Sequence, residues 1–148
     1  MPAIETSKFG EVTYDNKDVI EFIKPVLGFN DLTKYILISR PESEPFKWLQ
    51  SLEDTSVCFV LIDPRLVVDQ YTVEVSSHDI KLLDGSENQE DYQIYVIVTV
   101  PKGHPEQISI NLKGPIVVNS VRLKALQMVL NNPDYDIRYG IFKKSQMV

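Results

Sequence analysis

The chain has 148 residues, 43% of them apolar, one cysteine and a formal net charge of −6. That composition excludes a disordered chain and an internal disulfide, and the apolar mass suffices for a sizeable core. The charge is lopsided: residues 1–91 carry 18 acidic against 8 basic residues (net −10), and residues 92–148 carry 3 against 7 (net +4).

In chain order the dominant periodicity is two, the signature of half-buried strands. "VTYD" and "DVIEFI" read as early strands on either side of an Asp15-Asn16-Lys17 turn, and Pro25 and Gly28 break the next stretch. "KYILISR" alternates and stops before Pro41. In "EPFKWLQSLED", Phe46, Leu49 and Leu52 recur every three residues after Pro45, which predicts one or two helical turns. "TSVCFVLIDP" reads as an apolar strand closed by Asp63-Pro64. "DQYTVEVS" reads as a strand with Tyr71, Val73 and Val75 on one face, and in the polar "HDIKLLDGSENQED" Asp84-Gly85 marks a turn and the acidic end reads as an exposed loop. "YQIYVIVTVP" is the clearest strand, rich in β-branched and aromatic residues. "EQISINL", "PIVVN", "RLKALQMVL" and "YDIRYGIF" follow as further strands, the third also suiting a helix by propensity.

About ten short strands at this spacing predict a mainly β fold. The expected architecture is a small antiparallel β-barrel-like or sandwich domain with one or two short helical turns, a single domain over residues 1–148.

"NLKGPIVVN" raises the question of a polar active-site loop. A phosphate loop needs glycine-rich backbone leading into a helix, with the lysine after the glycines. Here Lys113 precedes the lone Gly114, and Pro115 and a strand follow, so the stretch reads as a bent strand. Pro115 cannot donate to a ladder, so Gly114-Pro115 is expected to leave unpaired backbone groups at a sheet edge, open to strand addition.

The catalytic inventory is thin. Cys58 lies inside "VCFVLI", which predicts burial as a small apolar side chain. His78 and His104 are isolated, short of the three or four ligands a metal needs. The adjacent carboxylates Glu53-Asp54 and Glu90-Asp91 would point to opposite faces of a strand, so they read as solvated turns and not as an acid/base pair. No catalytic residue, cofactor or metal is expected. The N-terminus "MPAIETSKFGEV" has no basic segment followed by an apolar one, and no apolar run approaches the ~18 residues of a membrane helix. A cytoplasmic, non-enzymatic binder without a membrane is therefore expected, and its acidity disfavours direct nucleic-acid contact while suiting a basic protein partner. Candidate partner contacts are Glu53, Asp54, Asp69, Glu74, Glu87, Glu90 and Asp91, chosen for turns and polar strand faces. Phe46 and Trp48, beside Pro45, read either as core, the commoner place for a lone tryptophan, or as exposed apolar anchors for a partner, with Leu66 next. A small β-barrel enzyme or ligand carrier with an interior site is the alternative.

The order of motifs along essentially the whole chain resembles the FliW family of flagellar assembly factors. It runs through Gly28-Phe29, then Pro45, Phe46, Trp48, Leu49, Gln50 and Ser51, then Asp63-Pro64, then Asn111, Leu112, Pro115 and Ile116, and lastly Gln127. The Gly-Phe turn lacks the family's frequent preceding Pro-Gly, and the tail "FKKSQMV" matches nothing in the pattern. The resemblance implies a non-enzymatic β-barrel-like protein of the cytoplasm. It would bind flagellin and, by partner switching, bind and antagonise CsrA, a basic dimeric repressor of translation, relieving repression of flagellin synthesis. The motif residues read mostly as structural.

Overall fold

The computed structural model describes residues 2–86, 88 and 92–141. Eleven strands lie among them: β1 (Ala3–Thr6), β2 (Gly10–Thr13), β3 (Ile20–Lys24), β4 (Lys34–Ser39), β5 (Lys47–Ser51), β6 (Cys58–Ile62), β7 (Tyr92–Thr99), β8 (Ser109–Ile110), β9 (Ile116–Asn119), β10 (Lys124–Gln127) and β11 (Tyr139–Gly140). β1 and β2 form a hairpin sheet of their own, while the other nine run in the order β11-β8-β7-β6-β5-β4-β3-β10-β9. β9 also pairs with β7, through Tyr92–Tyr95 against Asn119–Ile116, so seven strands, β3 to β7 with β9 and β10, close into a barrel. β8 and β11 continue from the far half of β7 as a flap. The mainly β expectation holds, with one refinement: β3 and β10 run parallel.

Alternation along the strands sorts the apolar residues into two cores. Ile20, Phe22, Tyr35, Leu49, Leu61, Tyr95, Ile116, Val118 and Ala125 pack together as the barrel filling. The opposite faces of the same strands, Ile94, Val96, Val98, Val117 and Leu126, pack under Tyr71, Val75, Leu83 and Leu112. β7 shows the division most plainly: Tyr95 and Ile97 go one way, Tyr92, Ile94, Val96 and Val98 the other.

Three expectations are corrected. "KWLQS" is strand β5 and not a helical turn, because both its backbone edges are taken, by β4 and by β6. The spacing of three was accidental: Leu49 enters the barrel while Phe46 packs on the other core. "DQYTVEVS" alternates as expected, with Tyr71 and Val75 buried, but joins no sheet. Its anchors are side chains: the Tyr71 hydroxyl donates to the Leu112 carbonyl at 2.6 Å, and the Tyr71 ring lies 4.6 Å from that of Tyr135.

The polar stretch opens with helix α1 (Ser77–Leu82), which the sequence did not predict, while Glu87, Glu90 and Asp91 of the acidic end expected to be a loop lie outside the described residues. The Ser76 hydroxyl accepts from the Asp79 N–H at 3.1 Å, a side-chain N-cap, and Lys24 Nζ reaches Asp79 Oδ1 at 2.7 Å to tie the helix to β3.

Finally, Gly114-Pro115 is not an open edge. The Pro115 carbonyl accepts from Met128 N, the Gly114 carbonyl from Gln127 Nε2, and the Gly114 N–H donates to Asn111 Oδ1.

Candidate partner-binding surface

Three of the motif stretches, at Gly28, Asn111 and Gln127, come together beside Gly114. The Gly28 backbone takes φ +89°, a left-handed conformation that favours glycine, within a turn closed by Phe29 N donating to the Val26 carbonyl at 2.9 Å. Asn111 Oδ1 accepts from the backbone of Lys113 and of Gly114, both at 3.1 Å, which folds the second turn. Gln127, only 7% exposed, joins the two: its Oε1 accepts from Leu27 N at 2.7 Å and its Nε2 donates to the Gly114 carbonyl at 3.0 Å. A Cβ on Gly114 would sit 2.7 Å from Gln127 Nε2 and 2.9 Å from Asn111 Nδ2, so glycine is required by this clamp. Asp63 Oδ1 likewise accepts from Arg65 N, capping a 3-10 turn over Pro64–Leu66 in which Pro64 is buried.

Beside the clamp is a groove of about 500 Å³ lined by Lys24, Leu27, Asp79, Met128 and Val129 among others. Leu27 is 62% and Val129 64% exposed on its rim. Sequence reasoning did not select either; Leu27 stands next to Gly28, whose turn holds it out.

The aromatic candidates meet at a second groove. Phe46, Trp48, Val60, Val98, Val100 and Ile108 line about 380 Å³, with Lys8, Glu42 and Glu44 at its margin. Pro45 and the exposed Leu66 line a separate hollow with Asp63 and Arg65. Phe29, at the clamp, meets Phe59 edge to face at 5.0 Å.

The acidic candidates are not one cluster by sequence, and four of them can be placed. Glu53, Asp54, Asp69 and Glu74 are all exposed. Glu53 Oε1 accepts from Thr33 N at 2.6 Å and Lys34 N at 2.9 Å, which holds its carboxyl below the usual range. Asp54 accepts from the hydroxyl and N–H of Ser56, with the same effect. Both are thus anionic and also brace their loops. Glu87, Glu90 and Asp91 lie outside the described residues.

Among the described residues no three of His, Cys, Asp and Glu are grouped for a metal. Burial pushes the Cys58 thiol up to about 11, away from the thiolate a nucleophile needs. No helix among the described residues is long and apolar enough to cross a membrane.

The profile described as "FliW protein" matches residues 3–141. The chain belongs to the FliW family. The flagellar assembly factor FliW of Thermosipho africanus is 38% identical over 135 residues, covering 91% of this chain and 92% of that one. That of Thermoanaerobacter pseudethanolicus is 38% identical over 142 residues (95% and 93%), and that of Thermotoga maritima 37% over 133 (90% and 89%). A crystal structure of the flagellar assembly factor FliW superposes with a TM-score of 0.85 at 28% identity, covering 95% of this chain and 97% of the other. The FliW family is one of flagellar assembly factors, which accords with a surface built for proteins.

Proposed function

We propose that the chain is a single-domain, non-enzymatic binding protein of the bacterial cytoplasm that holds flagellin and, when released from it, binds and antagonises CsrA. The observation that carries this reading is the family match across nearly the whole chain, residues 3–141. The net charge of −10 over residues 1–91 supports a basic partner such as CsrA. Exposed Glu53, Asp54, Asp69 and Glu74 are the candidate steering charges that can be placed, joined by Glu87, Glu90 and Asp91 from sequence. The grooves at Phe46 and Trp48 and at Leu27 and Val129 are candidate apolar seats.

The alternative, an enzyme or ligand carrier with an interior site, has little support. The barrel filling is a continuous set of packed side chains from Phe22 and Tyr35 to Ile116 and Ala125.

Two standard interfaces of about 800 Å² each fit on a domain of this size, whose accessible surface is 9023 Å² over the described residues. Exclusion of one partner by the other therefore needs a shared surface or a coupling free energy, and such coupling is reciprocal. The test is a titration of flagellin into a labelled complex of this protein with CsrA. Partner switching lowers the apparent CsrA affinity in step with flagellin. A ternary complex with unchanged CsrA affinity at saturating flagellin refutes it.

A further inference from the structure

The β1–β2 hairpin pairs with no strand of the barrel. Its register sets Ile4 opposite Val12 on one face and Glu5 opposite Glu11 on the other, where both glutamates are exposed. Directly opposed like charges weaken a ladder.

The hairpin tip lies on the outer face of β4–β6. Register places Ile38, Trp48 and Val60 in one row of that face and Ile36, Gln50 and Cys58 in the next. The tip is held lightly. Ser7 N donates to the Thr55 carbonyl at 3.2 Å, and the Phe9 ring meets Trp48 edge-on at 5.3 Å. Lys8 lies 5.8 Å above the Trp48 ring and Arg40 4.8 Å above Phe9. Ile4, Phe9, Val12 and Trp48 join neither core cluster. Two buried polar atoms of the covered face, Trp48 Nε1 and Gln50 Oε1, have no hydrogen-bond partner among the described residues. Leaving such atoms dry is a cost of the covered state that hydration removes.

We propose that β1–β2 is a strap that lifts off the β4–β6 face as a unit while the barrel stays folded. The closed strap is a self-masking contact. Its tip residue Lys8 lines the Phe46–Trp48–Val98 groove, so lifting it enlarges that groove into a continuous apolar face. The backbone swings at the capped turn after Tyr14, where Asp15 accepts from Lys17 N at 2.9 Å.

The sole cysteine and the sole tryptophan both lie on the covered face, so the protein carries its own probes. Cys58 is labelled with a bulky thiol reagent at fixed alkaline pH across low urea, and Trp48 is quenched with acrylamide. The strap predicts labelling slower than in the unfolded chain, with a urea slope well below that of global unfolding. Phe9→Ala removes the aromatic contact and raises the labelling rate about tenfold, with easier quenching of Trp48. If that variant does not fold, Phe9→Leu serves, with a rise of about threefold. Glu11→Lys creates an opposite-charge pair with Glu5 that stiffens the hairpin; motion as a unit leaves the rate unchanged, whereas a several-fold fall means fraying and overturns the proposal. Labelling that follows the global unfolding slope in both wild type and Phe9→Ala also overturns it. So does labelling as fast as in the unfolded chain and indifferent to Phe9.

Discussion

Replacing Gln127 with alanine tests whether the clamp beside Gly114 holds the fold together. Two hydrogen bonds disappear, from Leu27 N at 2.7 Å and to the Gly114 carbonyl at 3.0 Å. The two partners do not suffer equally. Leu27 is exposed, so water can replace Oε1 at its N–H, whereas Gly114 is buried and its carbonyl stays unpaired. An unpaired buried group costs about 1–3 kcal/mol, and a hydrogen bond surrendered to water about 1 kcal/mol. The expected loss is therefore ~2–4 kcal/mol, a Tm reduction of about 5–12 °C for a chain of this length. Urea denaturation followed by Trp48 fluorescence measures it.

Gly114→Ala supplies the matching half of a cycle. Its Cβ overlaps Gln127 Nε2 and Asn111 Nδ2, costing about 1–3 kcal/mol alone. Because one of the two clashing atoms is gone in Gln127→Ala, the double variant should be more stable than the sum of the two losses implies. A Gln127→Ala loss below about 0.5 kcal/mol, or strict additivity with Gly114→Ala, would refute the clamp.

Tyr35→Phe should stabilise the protein by up to ~1 kcal/mol at neutral pH, because the buried Tyr35 hydroxyl has no partner among the described residues. Desolvation raises the Tyr35 hydroxyl to about 12 from 10.0, so the fold favours the protonated form and wild type loses stability as pH rises from 10 to 12. Tyr35→Phe should lose less over that window in alkaline denaturation. Glu53 behaves oppositely: bonds from the Thr33 and Lys34 backbones depress its pKa, so its contribution is present above about 4.5 and lost as pH falls through the folded value. Glu53→Gln should flatten the acid limb of a stability–pH profile, and an unchanged limb would contradict that role. Under the proposed function, charge reversal at Asp69 and Glu74 slows association with CsrA and weakens its salt dependence, measured by stopped flow from low to high ionic strength.

The strands were legible where alternation was strong. Tyr92–Thr99 and Cys58–Ile62 followed from β-branched runs bounded by proline, and their faces sorted into the two cores as period two requires. Strand β5 was obscured because Pro45 and a chance spacing of three imitated a helix start, while what made it a strand was pairing on both edges with the strands before and after it, β4 and β6. Helix α1 did carry a signal, Ser76 followed three residues later by Asp79, but the polarity around it hid the pattern. The parallel pairing of β3 with β10 had no local signature at all. Of the candidate surface, Phe46 and Trp48 drew notice as aromatics beside a proline, but the sequence favoured core for both, and the groove they line was not legible. Neither was the one at Leu27 and Val129, since it depends on a glutamine reaching a turn 100 residues away.

That same closure imposes an order on synthesis. β3 emerges from the ribosome early, but its parallel partner β10 begins at Lys124. Until then β3 to β7, with β9 added beside β7, can form only as an open sheet whose outer edges, on β3 and β9, stay unpaired. The barrel filling around Phe22 and Tyr35, which Ala125 completes, cannot yet be sealed. Barrel closure thus waits on contacts of long sequence separation, which form slowly. A chain cut before Lys124 should expose adhesive strand edges and aggregate, whereas one cut after the described residues, at 141, retains every closing pair.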